Sequence, residues 1–362
     1  MAVYKLEKTE DAPSSTHGPL RWIINNLFAT PYHVAFSFLI LSVLYIIIPP
    51  FIHWAIIDAT FVGSTKADCG GDGACWIFIV HKIDFFIYGF YPEKEIYRIN
   101  WIFGLFFLFL GLFKYTGKTY RTKIAVFSLF PIISYFLITG GSFGLVEVPT
   151  DKWGGLMLTL VISSIGIVLS MPIGIILALG RQSKLPIIKS LSVLYIEFIR
   201  GVPLITILFM GSVVLPMFFP EGMTFDKLLR VLIVVTLFQS AYIAEVIRGG
   251  LQAISTGQYE AADALGLSYW KKILLVILPQ AIKVSIPNLV GNAIGLFKDT
   301  TLVLIIGLFD LLTMVGLTAA DSNWTGFETE GYVFVTMIFW IFCFSLSRYS
   351  KVLEDRLNTD NR

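Results

Sequence analysis

Charged side chains inside otherwise apolar runs are the residues of this chain whose types and spacing could do chemistry. They are Glu197, Arg200, Glu245, Lys298 and Asp299. A lone charge at the centre of a membrane costs about 2.5–3.5 kcal/mol on insertion scales, so such groups are paired, anchored at the membrane surface or kept for a function. In these positions they could counter the charges of a ligand or carry a proton or a sodium ion.

Glu197 and Arg200 are three residues apart on one predicted helix face, where they could neutralise each other. Alternatively, both lie near the cytoplasmic surface and anchor the helix there, which the nearby Lys189 favours. Gly201 and Pro203 follow directly. They predict a break in this helix, of the kind that transporters place beside their pathways.

The remaining charges also have structural alternatives, because Lys298 could pair with Asp299, and Glu245 with Arg248 at the membrane edge. A membrane enzyme would need a convergent His, Ser or metal cluster, but the four histidines all lie in the first 81 residues. The three cysteines lack metal-ligand spacing, and there is no Gly-x-x-x-x-Gly-Lys-Ser/Thr phosphate loop. We therefore expect no catalysis, no metal and no ATP site in this chain.

The composition indicates a polytopic membrane protein. Of the 362 residues, 56% are hydrophobic and 14% are charged, with a mean hydropathy of +0.77. Soluble domains carry about 25% charged residues. The net charge of +2 is too small to suggest nucleic acid as a partner.

Apolar runs that can cross a bilayer at 1.5 Å per residue predict an all-α fold with about eight transmembrane helices. The predicted spans are 34–57, 99–113, 124–138, 153–180, a fifth that contains 195–203, 228–247, one discontinuous crossing from 287 to 317 that is broken near Lys298 and Asp299, and 332–346. Residues 273–286 are expected to lie along the cytoplasmic interface. The loop with Lys114, Lys118, Arg121 and Lys123 has no acid, which places it and both termini in the cytoplasm.

Residues 58–98 form a predicted external loop with an excess of acidic side chains. Cys69 and Cys75 lie in it among glycines and could close a small disulfide in an oxidising compartment, or remain two free thiols. In either case their role would be structural.

The stretch from Tyr259 to Pro279 contains a short polar helix between two apolar segments. Glu260 opens the helix-forming run, and Gly266 ends it because glycine readily takes the left-handed conformation that closes a helix. A helix of barely two turns has no core of its own, so we expect it to dock into a partner. The alternative is an ordinary amphipathic connector.

The spacing Glu260-Ala261-Ala262, three residues, Gly266, nine residues, Val276-x-Leu278-Pro279 resembles the EAA loop of ATP-binding-cassette (ABC) importer permeases. Val276 stands where isoleucine is usual. In that family the loop forms a coupling helix that fits a groove on a cytoplasmic ATPase. The resemblance implies that Gln258, Glu260, Ala261, Ala262, Leu265, Gly266 and Pro279 couple this chain to an ATPase.

Further positions from 153 to about 346 resemble the polar amino-acid branch of these permeases. They are Tyr195, Glu197, Arg200, Gly201, Pro203, Ala241, Tyr242, Glu245, Arg248, Gly249, Gly257, Gln258, Pro279, Gln280, Ala281, Pro287, Lys298, Asp299 and Thr300. The first 150 residues resemble the extension of general L-amino-acid permeases (Aap/Bzt type). This implies broad specificity for polar or acidic L-amino acids.

The resemblance also implies a domain organisation. We expect a cytoplasmic tail at 1–31, a three-span extension at 32–152 with a periplasmic loop at 58–98, a five-helix type I permease core at 153–350 with a coupling loop at 250–272, and a cytoplasmic tail at 351–362. The implied location is the bacterial inner membrane. The implied partners are two cytoplasmic ATPase subunits that bind ATP and Mg, a second homologous permease subunit and a periplasmic amino-acid-binding protein. No cofactor is expected in this subunit.

A zwitterion would need fixed counter-charges along its path through such a permease. Lys298 is suited to a carboxylate, and Asp299 or Glu245 to an ammonium group. Gln239 and Thr300 could add neutral hydrogen bonds, and Tyr242 is placed on the same pathway. Arg200, Gly201, Pro203, Cys69 and Cys75 are expected to be structural. The alternative function is a secondary amino-acid transporter driven by an ion gradient.

Overall fold

The computed structural model describes residues 18–115, 120–220 and 225–359, and the described chain is almost wholly α-helical, as predicted. Residues 1–17 and 360–362 of the two expected tails lie outside the described residues. So do the side chains of the basic loop with Lys114, Lys118, Arg121 and Lys123. The chain divides into two compact units, of which the first ends at Ile77 and the second begins at Phe78.

The first unit contains helix α1 (Pro19–Leu27), helix α2 (Pro31–Ile52) and the loop after them. The Thr30 side chain caps α2 by accepting a hydrogen bond from the His33 amide, and a π-helical turn at His53–Ile57 extends the helix. Cys69 and Cys75 form a disulfide in the loop that follows. Of the two alternatives for these cysteines, the structure therefore has the crosslinked one.

Helix α3 (Trp76–Tyr88) leads into the second unit and packs on a much later part of the chain. Lys82 Nζ lies 2.6 Å from Asp321 Oδ2, and the ring centroid of Phe78 lies 5.9 Å from that of Trp324. The Phe86 ring lies 5.4 Å from Phe334. The segment 58–98 is thus more ordered than a loop, because a helix of 13 residues runs through it.

Helices α4 (Ile96–Tyr115) and α5 (Tyr120–Thr139) pack against each other. Arg98 at the start of α4 is buried, and it bonds to Glu95 and to the Val146 carbonyl oxygen at 2.5 and 2.7 Å. Ile99 of α4 belongs to one hydrophobic cluster with residues of the later helices. The second half of the predicted extension is therefore built into the same core as the segments that follow.

Four helices form the next part of the second unit. They are α6 (Gly155–Arg181), α7 (Pro186–Gly201), α8 (Leu204–Phe209), which further turns extend to Phe218, and α9 (Lys227–Gln252). α7 and α8 meet at an angle of 105°. The bend falls at the break predicted from Gly201 and Pro203, because proline has no amide hydrogen to continue the helical ladder.

Small residues let α6 and α9 approach closely. A Cβ added to Gly174 would lie 2.6 Å from the Ile243 side chain, and one at Gly166 would lie 3.0 Å from Val235. Close packing at small residues drives the association of helices inside a membrane, where the hydrophobic effect does not.

After α9 come α10 (Thr256–Ala264), α11 (Tyr269–Lys272) and α12 (Leu278–Asp299). A π-helical turn at Ile273–Ile277 joins α11 to α12, and a 3-10 helix at Thr300–Ile306 extends α12. The stretch Tyr269–Ile306 is therefore one candidate span of 38 residues. No break separates residues 273–286 from the crossing predicted to start at 287, because Pro287 lies inside α12 without ending it. The position of 273–286 along the cytoplasmic interface stays a prediction. The predicted break near Lys298 and Asp299 is present as the change to 3-10 helix.

The chain then turns at Gly307 into a two-residue strand, β1 (Phe309–Asp310), which forms parallel bridges with Gly154 and Gly155. Asp310 caps α13 (Leu311–Ala319) by accepting from the amides of Leu312 and Thr313. Helix α14 (Glu328–Thr359) completes the described chain.

Five helices within the described residues are long and apolar enough to cross a membrane. They are Pro31–Ile57, Gly155–Arg181, Lys227–Gln252, Tyr269–Ile306 and Glu328–Leu357. The bent pair α7–α8 makes a sixth. With α4 and α5, of 20 residues each, these segments correspond to the eight predicted spans.

Candidate functional site

Helix α10 is a short, exposed helix that follows α9 after three residues. Among its residues only Ala262 is buried, while Glu260 and Ala261 face solvent and Leu265 just beyond it is 78% exposed. α10 is too short and too little buried to be stable by itself, because isolated helices shorter than about 12 residues are marginal in water.

The end of α10 is closed by backbone hydrogen bonds around Gly266, which has a φ of +70°. The Gly266 amide donates to the Asp263 carbonyl oxygen at 2.9 Å, and the Leu267 amide donates to that of Ala262 at 3.2 Å. This pair of bonds is the Schellman closure, which requires a residue at ease in the left-handed conformation. The predicted helix stop at Gly266 is therefore present.

Side-chain bonds fasten α10 to the segment that leads into α12. Gln280 Nε2 donates to Gln258 Oε1 at 3.1 Å, and Lys272 Nζ lies 2.5 Å from Asp263 Oδ1. Pro279 occupies the first turn of α12. α10 is consequently fastened to α11 and α12 by side-chain bonds and to α9 by the three residues 253–255, so a displacement of α10 is passed to these helices.

Helices α9 and α12 lie antiparallel with polar groups facing each other. Ser285 Oγ donates to the Val246 carbonyl oxygen at 3.2 Å, and Gln239 Nε2 donates to that of Asn292 at 3.3 Å. The two contacts are seven residues apart on each helix, in opposite directions. Gln239 is buried, so its hydrogen bond to α12 also satisfies a group that would otherwise be costly to desolvate.

A cavity of about 410 Å³ opens between these two helices. Glu245, Val246, Gly249 and Gly250 of α9 and Val284, Ser285 and Asn288 of α12 line it. Its polar groups are a carboxylate, a hydroxyl and an amide, and its glycines provide room for a small polar molecule.

Glu245 lies at the centre of a group of five charged residues, which we call the Glu245 cluster. Its members are Arg181, Glu197, Arg200, Glu245 and Arg248. Glu245 Oε1 lies 2.8 Å from Arg181, and Oε2 lies 3.4 Å from Arg200 and 2.9 Å from Arg248. The predicted alternative of a Glu245–Arg248 pair is thus correct but incomplete.

Of the two alternatives for Glu197 and Arg200, the mutual pair is not the one that the structure has. Glu197 bonds to Arg181 at 2.8 Å, and Arg200 turns to Glu245 and to the Tyr242 ring, whose centroid is 5.7 Å from its guanidinium carbon. The long arginine side chains reach other helices, which sequence spacing alone does not reveal.

The other expected pathway residues lie at different levels of the molecule. Tyr242 is one turn from Glu245 on α9, whereas Lys298 and Asp299 lie at the far end of α12. Ten residues separate Lys298 from the cavity-lining Asn288, which is about 15 Å along a helix. A single amino acid therefore cannot place its carboxylate on Lys298 and its ammonium group on Glu245 at once.

Lys298 is exposed and makes no ion pair with any residue that the structure describes, so the alternative of a pair with Asp299 is not the one found there. Thr300 is buried and donates to the Phe297 carbonyl oxygen at 2.8 Å. Its hydroxyl thus stabilises the start of the 3-10 turn.

Sequence reasoning did not find Arg181, Ser285 or Asn288 as functional candidates. Arg181 directly follows the predicted span 153–180, and its partners lie 16 and 64 residues further along the chain. Ser285 and Asn288 are three positions apart on α12 and therefore share one helix face. Two polar residues at this spacing were the signal in the sequence that could have identified them.

Comparisons with known proteins show what this chain is similar to. The family described as "Binding-protein-dependent transport system inner membrane component" matches residues 170–359. The chain is 52% identical over 340 residues to the inner membrane amino-acid ABC transporter permease protein YhdY of Escherichia coli K12, covering 93% of each protein. It is 40% identical over 419 residues to the glutamate/glutamine/aspartate/asparagine transport system permease protein BztC of Rhodobacter capsulatus, covering 97% of this chain and 96% of that protein.

One solved structure, described as an amino acid ABC transporter with histidines, contains a chain that is 31% identical to this one. The match has a TM-score of 0.50 and covers 56% of this chain and 92% of that one.

Proposed function

This chain belongs to the binding-protein-dependent transport system inner membrane component family, and we propose that it moves polar L-amino acids through an importer driven by two cytoplasmic ATPase subunits. It is a permease subunit of an amino-acid ABC importer, a multi-pass protein of the bacterial inner membrane that does no catalysis itself. The finer assignments below concern its ATPase contact, its substrates and its partners.

The exposed helix α10 is the observation that carries the proposal. Its free face holds Glu260, Ala261 and Leu265. Gln258 near its start bonds to Gln280 of α12, Asp263 near its end pairs with Lys272 of α11, and only residues 253–255 separate it from α9. An ATPase groove that takes this face would move both helices together. Closure of the ATPases on ATP would then open the permease outward, and their separation would return it inward.

The substrates we assign are acidic and amide L-amino acids. BztC, which resembles this chain over nearly its whole length, is described as a permease for glutamate, glutamine, aspartate and asparagine. The unpaired Lys298 is suited to a substrate carboxylate and Asp299 to an ammonium group. Thr300 follows Asp299 directly and would add a hydrogen bond there, whereas Gln239 and Tyr242 on α9 would contact the substrate at another point of its passage.

The assembly we propose contains a second related permease subunit, two ATPase subunits that hold ATP and Mg, and a periplasmic amino-acid-binding protein. Both termini of this chain would be cytoplasmic, which puts α10 on the side of the ATPases. A transporter driven by an ion gradient is not favoured, because it would leave the exposed face of α10 without a purpose.

Reconstitution tests the proposal. The four components in proteoliposomes should take up L-glutamate, L-glutamine, L-aspartate and L-asparagine with MgATP inside and binding protein outside. An ionophore should leave uptake unchanged. Uptake that continues without ATP, or that an ionophore abolishes, would contradict the function, and failure of all four amino acids against uptake of others would contradict the substrate class.

A further inference from the structure

The Glu245 cluster joins three helices at one carboxylate. Arg181 comes from the last turn of α6, Arg200 from the last turn of α7, and Glu245 and Arg248 from α9. Three guanidinium groups face two carboxylates, and the Glu245 side chain is only 15% exposed. Both of its oxygens are already occupied, so its geometry fits a joint between helices better than a site for a substrate ammonium group.

We propose that Arg200 and Glu245 are positioning residues that fasten the α7–α8 bend to α9, so that the bend follows every movement of α10. The inference rests on the proposed function, because it assigns a route by which the same ATP-driven movement reaches a second part of the permease.

Arg200 is well placed for this role because it is the residue before Gly201, where α7 ends and the 105° bend begins. Its guanidinium group has two contacts on α9, one with Glu245 and one with the Tyr242 ring. These two residues are three positions apart and therefore lie on one face of α9. Contacts one turn apart fix both the height and the rotation of the end of α7 against α9.

A continuous helix connects this joint to the coupling helix. α9 runs without a break from Glu245 to Gln252, about 10 Å at 1.5 Å per residue. Arg248 Nη1 bonds to Gln252 Oε1 at 2.9 Å and links the cluster to the last turn of α9. Only residues 253–255 separate that turn from α10. A displacement of α10 therefore reaches Glu245 through three linking residues and two turns of continuous helix.

The charge balance identifies the informative variant. Removing the charge of Glu245 leaves three arginines against Glu197 alone, and this repulsion can prevent folding. Removing the charge of Arg200 leaves Arg181 and Arg248 against Glu197 and Glu245, which is balanced. R200Q is therefore expected to fold and assemble while losing the attachment of the bend.

The experiment measures amino acid taken up per ATP hydrolysed by the full reconstituted importer, at equal amounts of assembled complex. We expect R200Q to lower this ratio about two- to thirtyfold, which is the range that mutations along a coupling network produce. R200K keeps the charge but not the planar guanidinium contact with the Tyr242 ring, and it should recover part of the loss. The matched control is K189Q, which removes a positive charge from an exposed residue of the same helix and should leave the ratio unchanged.

An unchanged ratio in R200Q would overturn the inference, as would transport and hydrolysis that fall in parallel. A ratio that falls equally in R200Q and K189Q would also overturn it, since the effect would then belong to charge in general. The wild-type importer separates the two proposals, because ATP-dependent uptake by it tests the function whatever the variants do.

Discussion

Lys82 Nζ and Asp321 Oδ2 lie 2.6 Å apart although 239 residues separate them in the chain. The pair joins α3 to the turn between α13 and α14, beside the contact of His81 with Trp324, whose ring centroids are 5.5 Å apart. A segment of the predicted extension is thereby attached to the predicted core.

This pair predicts a pH-dependent stability. The hydrogen bond from Lys82, followed by that from the Asn323 amide, lowers the pKa of Asp321 below its ordinary value. The stabilisation is therefore complete above the unfolded-state pKa of about 3.9 and is lost as the pH falls through the lower folded-state value. Wild type should melt at a higher temperature than D321N at pH 7, and the difference between their melting temperatures should shrink steadily as the pH is lowered below about 3.9. A difference that does not shrink with falling pH would contradict this, and D84N, an exposed change on α3, is the control.

Gly266 predicts a conformational requirement in the coupling loop. Nothing lies within 4 Å of a Cβ added there, so the cost of G266A comes from its φ of +70° alone, about 1–2 kcal/mol for an L-residue. We expect G266A to weaken binding of the proposed ATPase in a pull-down, and G266V to weaken it more. G249A is the matched control, because Gly249 also faces open space, has no positive φ, and lies on α9 outside the face that would dock on the ATPase. Equal binding by G266V and wild type would argue against the role of this turn.

At Gly250, α9 and α12 are so close that one added methyl group is expected to force them apart. A Cβ there would lie 2.1 Å from Ser285 Oγ and 2.5 Å from the Ala281 carbonyl oxygen, whereas one at Gly249 would meet nothing within 4 Å. Overpacking of this kind costs about 1–3 kcal/mol. G250A should lower the melting temperature of the purified protein, and G249A should not. Similar melting of the two variants would show that the helices are free to move apart.

The cysteines predict a thiol count that depends on reduction. Cys69 and Cys75 are paired, and Cys343 is free and partly exposed. Alkylation of the unfolded protein should label one thiol before reduction and three after it, as measured by intact mass. In C69S, two labelled thiols without reduction are expected. Three labelled thiols in unreduced wild type would show that the disulfide does not form.

Lys298 predicts a loss of transport without a loss of assembly. A hydrogen bond to a charged group contributes about 1.5–3 kcal/mol, so K298Q should slow uptake of all accepted amino acids about tenfold or more. K184Q, an exposed change between α6 and α7, serves as the control in the same uptake assay. Normal uptake by K298Q would remove Lys298 from the proposed pathway.

Local signals in the chain predicted the helical spans, the bend after Gly201 and the closure of α10 at Gly266, because each depends on neighbouring residues. Proline was less informative. Pro203 ends a helix, whereas Pro287 lies inside one, since the surrounding helices of a membrane protein can hold a helix together across a proline.

The tertiary contacts of long polar side chains could not be predicted from local sequence signals. Glu197 bonds to Arg181 on another helix although Arg200 is nearer in the chain, and Glu245 takes one partner from 64 residues away. Lys82 and Asp321 are a similar case. Patterns of three or four residues identify which face of a helix is polar, but they do not identify the helix that this face meets.

The antiparallel arrangement of α9 and α12, with α10 at the end where they join, would turn a small tilt near α10 into a larger displacement at the opposite end of α9. α9 has 26 residues, so its length is about 39 Å, and a tilt of about 10° at the α10 end would swing the opposite end by about 7 Å. A small tilt at the α10 end would thus move the opposite end of α9 by about the width of an amino acid.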